Sequence, residues 1–316
     1  MKRNRIGVDL GGTNIAVGLV NEELKIVKKL STPTGATRPG EEIVADIAAL
    51  CKKVCAEYGI ELKDVASIGI ATPGIANHDT GVVEYANNLP FKKFPIADLL
   101  KKALGEDVTV RIENDANAAA WGEACAGAAK GTSNSIMITL GTGVGGGIIM
   151  NNKIYSGFNY AGAELGHIVI QVDGAPCSCG RKGCWEAYSS ATALIRMTRE
   201  KIEECRATGR ASIMLDAPRV SGRTACDGMR AGDEAATEVY NTYIKYLASG
   251  IATIINIFQP EVISLGGGVS GEGQSLIDAL EPIVRKEQYG GDVVALTQIR
   301  IAELGNDAGI IGAAAL

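Results

Sequence analysis

The stretch SIMITLGTGVGGGIIMNNKIYSG, residues 135–157, repeats a pattern that the chain has already used near its start. Residues 8–21, VDLGGTNIAVGLVN, and residues 138–151, ITLGTGVGGGIIMN, align with their glycines in register. Each copy reads as an apolar run, a glycine-rich turn and a second apolar run, which predicts strand, turn, strand. Recurrence of one supersecondary unit predicts duplication, and hence two related α/β domains facing one another.

The flanks fit the same plan. RIGVDLGGTNIAVGLVNEELKIVKKLSTPT predicts three antiparallel strands in succession. A helix is expected over 41–58, stopped by Gly59, and it carries Cys51 and Cys55 as half-buried thiols. VASIGIATPG reads as a buried strand entering a Pro-Gly turn, and VTVRIENDAN as a further strand. The alanine-rich AAAWGEACAGAAKG predicts a helix that Gly131 stops. Residues 233–258 place Val239, Tyr243, Leu247, Ile251, Ile254 and Phe258 on one apolar face, with Pro260 after the stop. EVISLGGGVS is a strand opening into a triple-glycine turn, followed by a helix near 275–286, a strand in QIRIAEL and a small-residue helix in DAGIIGAAAL.

Composition narrows the function classes. Of 316 residues, 46% are apolar and 21% charged, enough apolar matter for two ordinary cores and too little charge for a disordered chain. A net charge of −5 offers no basic surface for nucleic acid or an anionic membrane. The N-terminal MKRNRIGVDL passes directly from basic residues into a strand, so no signal peptide is expected. The apolar run 246–260 is too short to span a bilayer. A cytoplasmic protein without nucleic-acid or membrane partners is expected.

Three glycine turns follow strand-like runs: Gly11-Gly12-Thr13, Gly141-Thr142-Gly143, and Gly266-Gly267-Gly268. Converging backbone N–H groups at such turns suit phosphate, and any one of them alone reads equally as a tight hairpin. None has the lysine of a Walker A loop. The duplication favours a nucleotide. Asp9 closes the strand before the first turn, where a carboxylate can hold Mg²⁺ beside phosphates or cap the turn. Asn114 and Asp115 end a strand between the two glycine units, a place for a proton acceptor or for an ordinary helix start. Glu164, His167 and Glu186 lie nearby in sequence; carboxylates pair well with adjacent sugar hydroxyls and are equally at home on a solvated surface.

CSCGRKGCWE, residues 177–186, packs three cysteines into eight residues, ten residues after His167. In a reducing compartment, one His and three Cys suit a tetrahedral zinc site, with free thiols or a disulfide as the alternatives. Four protein ligands leave no open coordination position, so a metal here is architectural. It would clamp 164–186 so that Glu164 and Glu186 face one pocket, with one His167 nitrogen on the metal and the other donating to a hydroxyl.

Taken together and in order, DLGGTN, ENDANAAA, TLGTGVGGG, AELGH and CSCGRKGCWE resemble the ROK family of bacterial sugar kinases and repressors, over nearly the whole chain. The resemblance implies an α/β, actin-like ATPase fold of two ribonuclease-H-type domains, 1–115 plus 300–316 and 116–299, with ATP in the cleft between them. It implies that the C-terminal helix packs back on the N-terminal domain. It further implies Asp115 as general base, and Gly74, Asn88, Asn114, Asp115, Glu164, His167 and Glu186 as sugar contacts. Asp9, Gly11, Gly12, Thr13, Asn14, Thr142, Gly143, Gly266, Gly267 and Gly268 would meet ATP and Mg²⁺; His167, Cys177, Cys179 and Cys184 would bind structural Zn²⁺. The expected activity is phosphorylation of a hexose at O6, glucose first, with fructose, mannose, N-acetylglucosamine or N-acetylmannosamine as rivals. A homodimer or homotetramer is expected by the same resemblance. A sugar-sensing ROK regulator is the reading from another class. The phosphate loop begins by residue 9, which leaves no room for a helix-turn-helix, and a pure sensor would not need Asp115 or the first glycine loop.

Overall fold

A computed structural model describes residues 4–105, 108–291 and 293–316; the first three residues of the expected N-terminal domain lie outside it. The first expected strand triplet is β1 (Asn4–Leu10), β2 (Asn14–Val20) and β3 (Ile26–Pro33). Helix α1 (Gly40–Tyr58) follows and ends on Gly59 in the left-handed conformation. Next come β4 (Val65–Thr72), the short strands β5 (Ile75–Asn77), β6 (Val82–Tyr85) and β7 (Lys92–Phe94), helix α2 (Ile96–Leu104), β8 (Thr109–Asn114) and α3 (Asp115–Ala126).

The second half opens with β9 (Ser135–Leu140), β10 (Val144–Met150) and β11 (Lys153–Tyr155). It continues through α4 (Glu186–Ser189), α5 (Ala191–Thr208), α6 (Thr224–Arg230), α7 (Glu234–Phe258), β12 (Val262–Gly266), α8 (Gln274–Glu287), β13 (Gln298–Ile301) and α9 (Ala308–Ala315).

Sheet topology bears out the repeat. One five-stranded sheet has the order β3-β2-β1-β4-β8 and the other β11-β10-β9-β12-β13, so each runs third, second, first, fourth, fifth in its own numbering. In the first sheet β1–β2 and β2–β3 are antiparallel, whereas β1–β4 and β4–β8 are parallel. A small antiparallel sheet, β5-β6-β7, is an insertion that periodicity does not announce, because its strands are three or four residues long.

The chain divides into two compact units, Met1–Met137 with Gly147–Ala163 and Ala302–Leu316, and Ile138–Gly146 with Glu164–Ile301. Helix α3, which the sequence assigns to the start of the second domain, groups with the first unit. In that unit α1 buries Ile43, Val44, Ile47, Cys51, Val54 and Cys55 in the core formed with Ile6, Val8, Val17, Ile68 and Ile70. Cys51 and Cys55 are therefore fully buried, more deeply than the helical spacing suggested. Burial pushes both thiols well above their ordinary value, which keeps them inert.

The expected helix end at Gly131 is also revised: α3 stops at Ala126, with Gly127 as its cap. The cause is Glu123, whose buried carboxylate accepts the N–H of Ala128 at 2.7 Å and reaches Glu303 N at 3.1 Å and Leu304 N at 2.8 Å. Three backbone donors compensate the desolvated charge and draw the chain out of the helix.

The expected return of α9 to the N-terminal sheet is observed. A Cβ on Gly69 of β4 would lie 1.8 Å from Ala313 O, and one on Gly312 of α9 would lie 1.7 Å from Ala118 O in α3. Backbone meets backbone there, and only the absence of side chains allows it. In an open helix, Gly312→Ala would stabilise by about 1 kcal/mol through propensity alone. Here the overlap decides the sign, and the variant is expected to lose about 1–3 kcal/mol. Urea unfolding checks this; an unchanged or raised midpoint would show that α9 does not touch α3 as described.

Candidate functional site

In the first unit, parallel pairing of β1, β4 and β8 brings their C-terminal ends to one edge. Asp9 is opposite Ala71, Ala71 is opposite Glu113, and Thr72 is opposite Asn114. Asp9 and Glu113 thus stand in one row, two strands and roughly 10 Å apart, and Asp115 follows one step beyond Asn114. Such an edge is where open parallel sheets bind ligands.

From this edge β1 enters Gly11-Gly12-Thr13. Gly11 N donates to Asn14 O at 2.9 Å, closing the turn at the first residue of β2. Buried Thr34 fixes its shape: its hydroxyl donates to Gly11 O at 2.7 Å and its N–H to Thr13 O at 2.8 Å. The β-carbon of Asn88 lies against Gly12, 3.3 Å from where a Cβ there would be.

Asn114 caps α3, its Oδ1 accepting from Ala116 N at 2.9 Å and Asn117 N at 3.2 Å, while Nδ2 donates to Gly74 O at 3.0 Å. One amide therefore ties Gly74 to the start of the helix whose first residue is Asp115. The helix-start reading of Asn114 is correct, and it places Asp115 as the first helical residue, with its Oδ1 accepting Ala116 N at 2.8 Å.

Behind this turn lies a group that the sequence does not mark. Glu113, 2% exposed, accepts Asn114 N at 2.9 Å and Asn117 Nδ2 at 3.0 Å on one oxygen; its other oxygen is 3.1 Å from His78 Nδ1. Tyr160 stands edge-on to His78 with ring centroids 4.9 Å apart and donates to Asp79 at 2.5 Å. His78 has no assigned role in the sequence; the structure makes it the partner of a buried carboxylate directly behind Asn114. The strand that carries Glu113 also holds Thr109, Arg111 and Asn114, so its sequence does not set this glutamate apart. At the other end of the row, burial and then the charge of Asp115 raise Asp9 to about 6, against a smaller opposing effect of Lys29.

In the second unit, Gly141-Thr142-Gly143 leaves β9, and Gly141 N donates to Gly143 O at 3.0 Å. The start of α5 holds this turn, Ala191 N donating to Gly141 O and Thr192 Oγ1 to Thr142 O, both at 2.8 Å. Gly266-Gly267-Gly268 follows β12, and a Cβ on Gly267 would lie 2.5 Å from Leu140 O, so the third turn rests on the strand that feeds the second.

His167 ends a single 3₁₀ turn, Leu165–His167, and donates its N–H to Glu164 O at 3.0 Å. Its Nδ1 is 3.7 Å from Cys177 Sγ, and Cys179 and Cys184 Sγ are 3.7 Å apart. All four donor atoms lie within 4.8 Å of one another. A tetrahedron of Zn–S bonds of about 2.3 Å separates its sulfurs by about 3.8 Å, so the donor set fits zinc. Gly180 and Gly183 both take positive φ where the loop wraps.

Cys184 is pushed up to about 12, chiefly by burial, and Cys179 is lowered, chiefly by a hydrogen bond from the Arg181 backbone. Trp185, fully buried, donates Nε1 to Tyr246 O at 3.0 Å and anchors the loop on α7. Glu186, first residue of α4, accepts Val144 N at 3.1 Å on Oε2 and Ser178 Oγ at 2.9 Å on Oε1. The predicted residues are therefore gathered in two groups: Asp9, Gly11–Asn14, Gly74, Asn88, Asn114 and Asp115 in one unit, and the remainder in the other.

The sequence pattern that defines the ROK family matches residues 5–316, and the chain belongs to that family. A glucokinase of Halalkalibacterium halodurans is 39% identical over 313 residues, 97% of this chain and 92% of its own. A glucokinase of Streptomyces coelicolor is 37% identical over 316 residues, 98% and 96%. The crystal structure of a ROK family glucokinase from Streptomyces griseus in complex with glucose and AMPPNP matches with a TM-score of 0.77 and 35% identity, covering 99% of this chain and 98% of that one. The actin-like α/β fold follows from this membership. Among the described residues no helix is long and apolar enough to cross a membrane.

The raised Asp9 makes a signed prediction. An acid whose folded pKa lies above its unfolded value favours folding only while protonated, so this contribution is complete below about pH 4 and lost as pH rises through about 6. A rise of this size corresponds to about 3 kcal/mol. In EDTA, Asp9→Asn is expected to unfold at higher urea than the parent at pH 8, by up to about that amount, and at nearly the same urea at pH 4. Equal midpoints at pH 8 would remove Asp9 from this buried, negative setting.

Proposed function

We propose that this chain is an ATP-dependent hexose kinase that converts glucose to glucose 6-phosphate. The observation that carries the reading is the shared sheet edge at which Asp9, the first glycine turn and Asp115 meet, in a ROK chain 37–39% identical to glucokinases along nearly its whole length.

Each residue has work that its chemistry suits. Asp115 takes the O6 proton as the bond from O6 to the γ-phosphorus forms and the bond to the β,γ-bridging oxygen breaks, releasing ADP. Its place as the first residue of α3, fixed by the Asn114 cap, holds the carboxylate in one orientation, which is the main protein contribution in phosphoryl transfer. Asn114, Glu164, His167 and Glu186 bind sugar hydroxyls, with Gly74 and Asn88 as further contacts. The first turn, Gly11–Asn14, and Thr142 and Gly143 of the second face phosphate oxygens, and Gly266–Gly268 face the nucleoside.

Asp9 would hold Mg²⁺, which when bound neutralises charge on the transferring phosphates. The raised value of Asp9 suits this role, because a cation relieves its repulsion with Asp115. His167 Nδ1, Cys177, Cys179 and Cys184 would hold Zn²⁺ in a closed, structural shell. With Nδ1 turned to Cys177, Nε2 of His167 is left to meet a hydroxyl. A reducing cytoplasm suits a protein none of whose eight cysteines forms a disulfide.

The decisive assay follows ADP release with glucose, fructose, mannose, N-acetylglucosamine and N-acetylmannosamine. Glucose is expected to have the highest kcat/KM, and absence of turnover with every sugar would end the kinase reading. Asp115→Ala is expected to lower kcat by at least about 10²–10⁴-fold while calorimetry still detects sugar binding; wild-type turnover in that variant would remove Asp115 as the base. Cys184→Ala is expected to release zinc and raise the sugar KM. Normal sugar kinetics in a metal-free variant would refute the clamp.

A further inference from the structure

Glu186 is shared by two loops. On one side its Oε2 accepts the N–H of Val144, the residue that leaves the second glycine turn, at 3.1 Å. The contact is close enough that a Cβ on Gly143 would lie 2.2 Å from the same oxygen, so the turn and the carboxylate are fitted to each other. On the other side Oε1 accepts the Ser178 hydroxyl at 2.9 Å, and Ser178 lies between two members of the cysteine cluster. Cys177 Sγ is 3.6 Å from the same Oε1. A thiolate on a metal has no proton to donate, which leaves the serine hydroxyl to make the bond. A carboxylate has about four acceptor positions, so these two bonds leave room for a sugar hydroxyl.

We propose that Ser178 and Glu186 form a positioning pair through which the Cys/His loop sets the geometry of the 141–144 turn, so that the state of the metal loop governs nucleotide affinity as well as sugar affinity. The inference rests on the kinase reading above, in which this turn faces phosphate. Its physical basis is the order of the links. An ion shared by the four donors stiffens the cysteine loop beyond its backbone cross-links, Ser178 moves with that loop, and the Ser178 bond fixes one oxygen of a carboxylate whose other oxygen holds Val144 N. The far side of the turn is already held by Ala191 and Thr192. The orientation of the amides between these points therefore depends on the Glu186 end.

The test measures binding of AMPPNP with Mg²⁺ by calorimetry, without sugar, to the zinc-loaded protein, to chelator-stripped protein, and to Ser178→Ala and Ser178→Thr, with zinc content determined on each. Ser178→Ala is expected to keep its zinc and its urea midpoint while losing roughly three- to tenfold in nucleotide affinity, the net worth of one hydrogen bond. Ser178→Thr should restore it. Stripping the metal should weaken nucleotide binding of the wild type, and should weaken Ser178→Ala little further, since both act through one link. Unchanged AMPPNP affinity in zinc-loaded Ser178→Ala, or losses that simply add, would overturn the inference while leaving the kinase reading intact. A wild-type protein that binds no AMPPNP would sink the kinase reading itself, and this inference with it.

Discussion

The parallel register of β1, β4 and β8 is the constraint on which the first unit depends. Parallel strands deliver all their C-terminal ends to one edge, and the pairing of Asp9 with Ala71 and of Ala71 with Glu113 fixes which residues arrive together. A shift of one residue in β8 would turn Glu113 to the opposite face and carry Asn114 away from Gly74. The buried Glu113 resists that slip, because its contact with His78, on a separate segment, cannot follow the strand, and an unpaired buried carboxylate is costly. Asp115 is thus placed by strand pairing and held by a polar cluster behind it.

The second unit solves a similar problem with less regular structure. Glu164, His167 and Glu186 come from a loop, a 3₁₀ turn and a four-residue helix, none of which is stable alone. Their positions depend on cross-links: the bridge of Val169 with Cys184, Cys177 N to Arg181 O at 2.8 Å, and Trp185 buried against α7. A metal shared by the four donors would add the strongest link of this set. The tryptophan after the last cysteine is explained by this arrangement. It fixes the exit of the loop so that the next residue, Glu186, begins its helix at a defined place.

What was legible in the sequence follows from the range of the interactions. The duplicated hairpins, the 3.6-residue apolar face of α7 and the thiol spacing are local patterns, and each names its structure. The insertion β5–β7 escaped because its strands are too short to show alternation. Glu123 escaped for another reason. It reads as one more polar residue on an alanine-rich helix, yet its partners Glu303 and Leu304 lie some 180 residues away. Glu113 and His78 share this property: the charge is visible in the sequence, and the partner that makes it structural is not. Thr34, which shapes the first glycine turn, carries no signal at all.

The same distinction orders the site residues. Glycines at turns are legible because geometry demands them. The residues that set a glycine turn's exact shape, Thr34 at the first turn and Ala191, Thr192 and Glu186 at the second, act from outside the motif. A backbone amide contributes to phosphate binding only if it points the right way before the ligand arrives, since reorienting it costs free energy at binding. The chemistry of each turn therefore belongs as much to its outside supports as to its glycines. Glu186 stands apart among them, because its other oxygen is held by Ser178, in the loop that carries the four candidate metal donors.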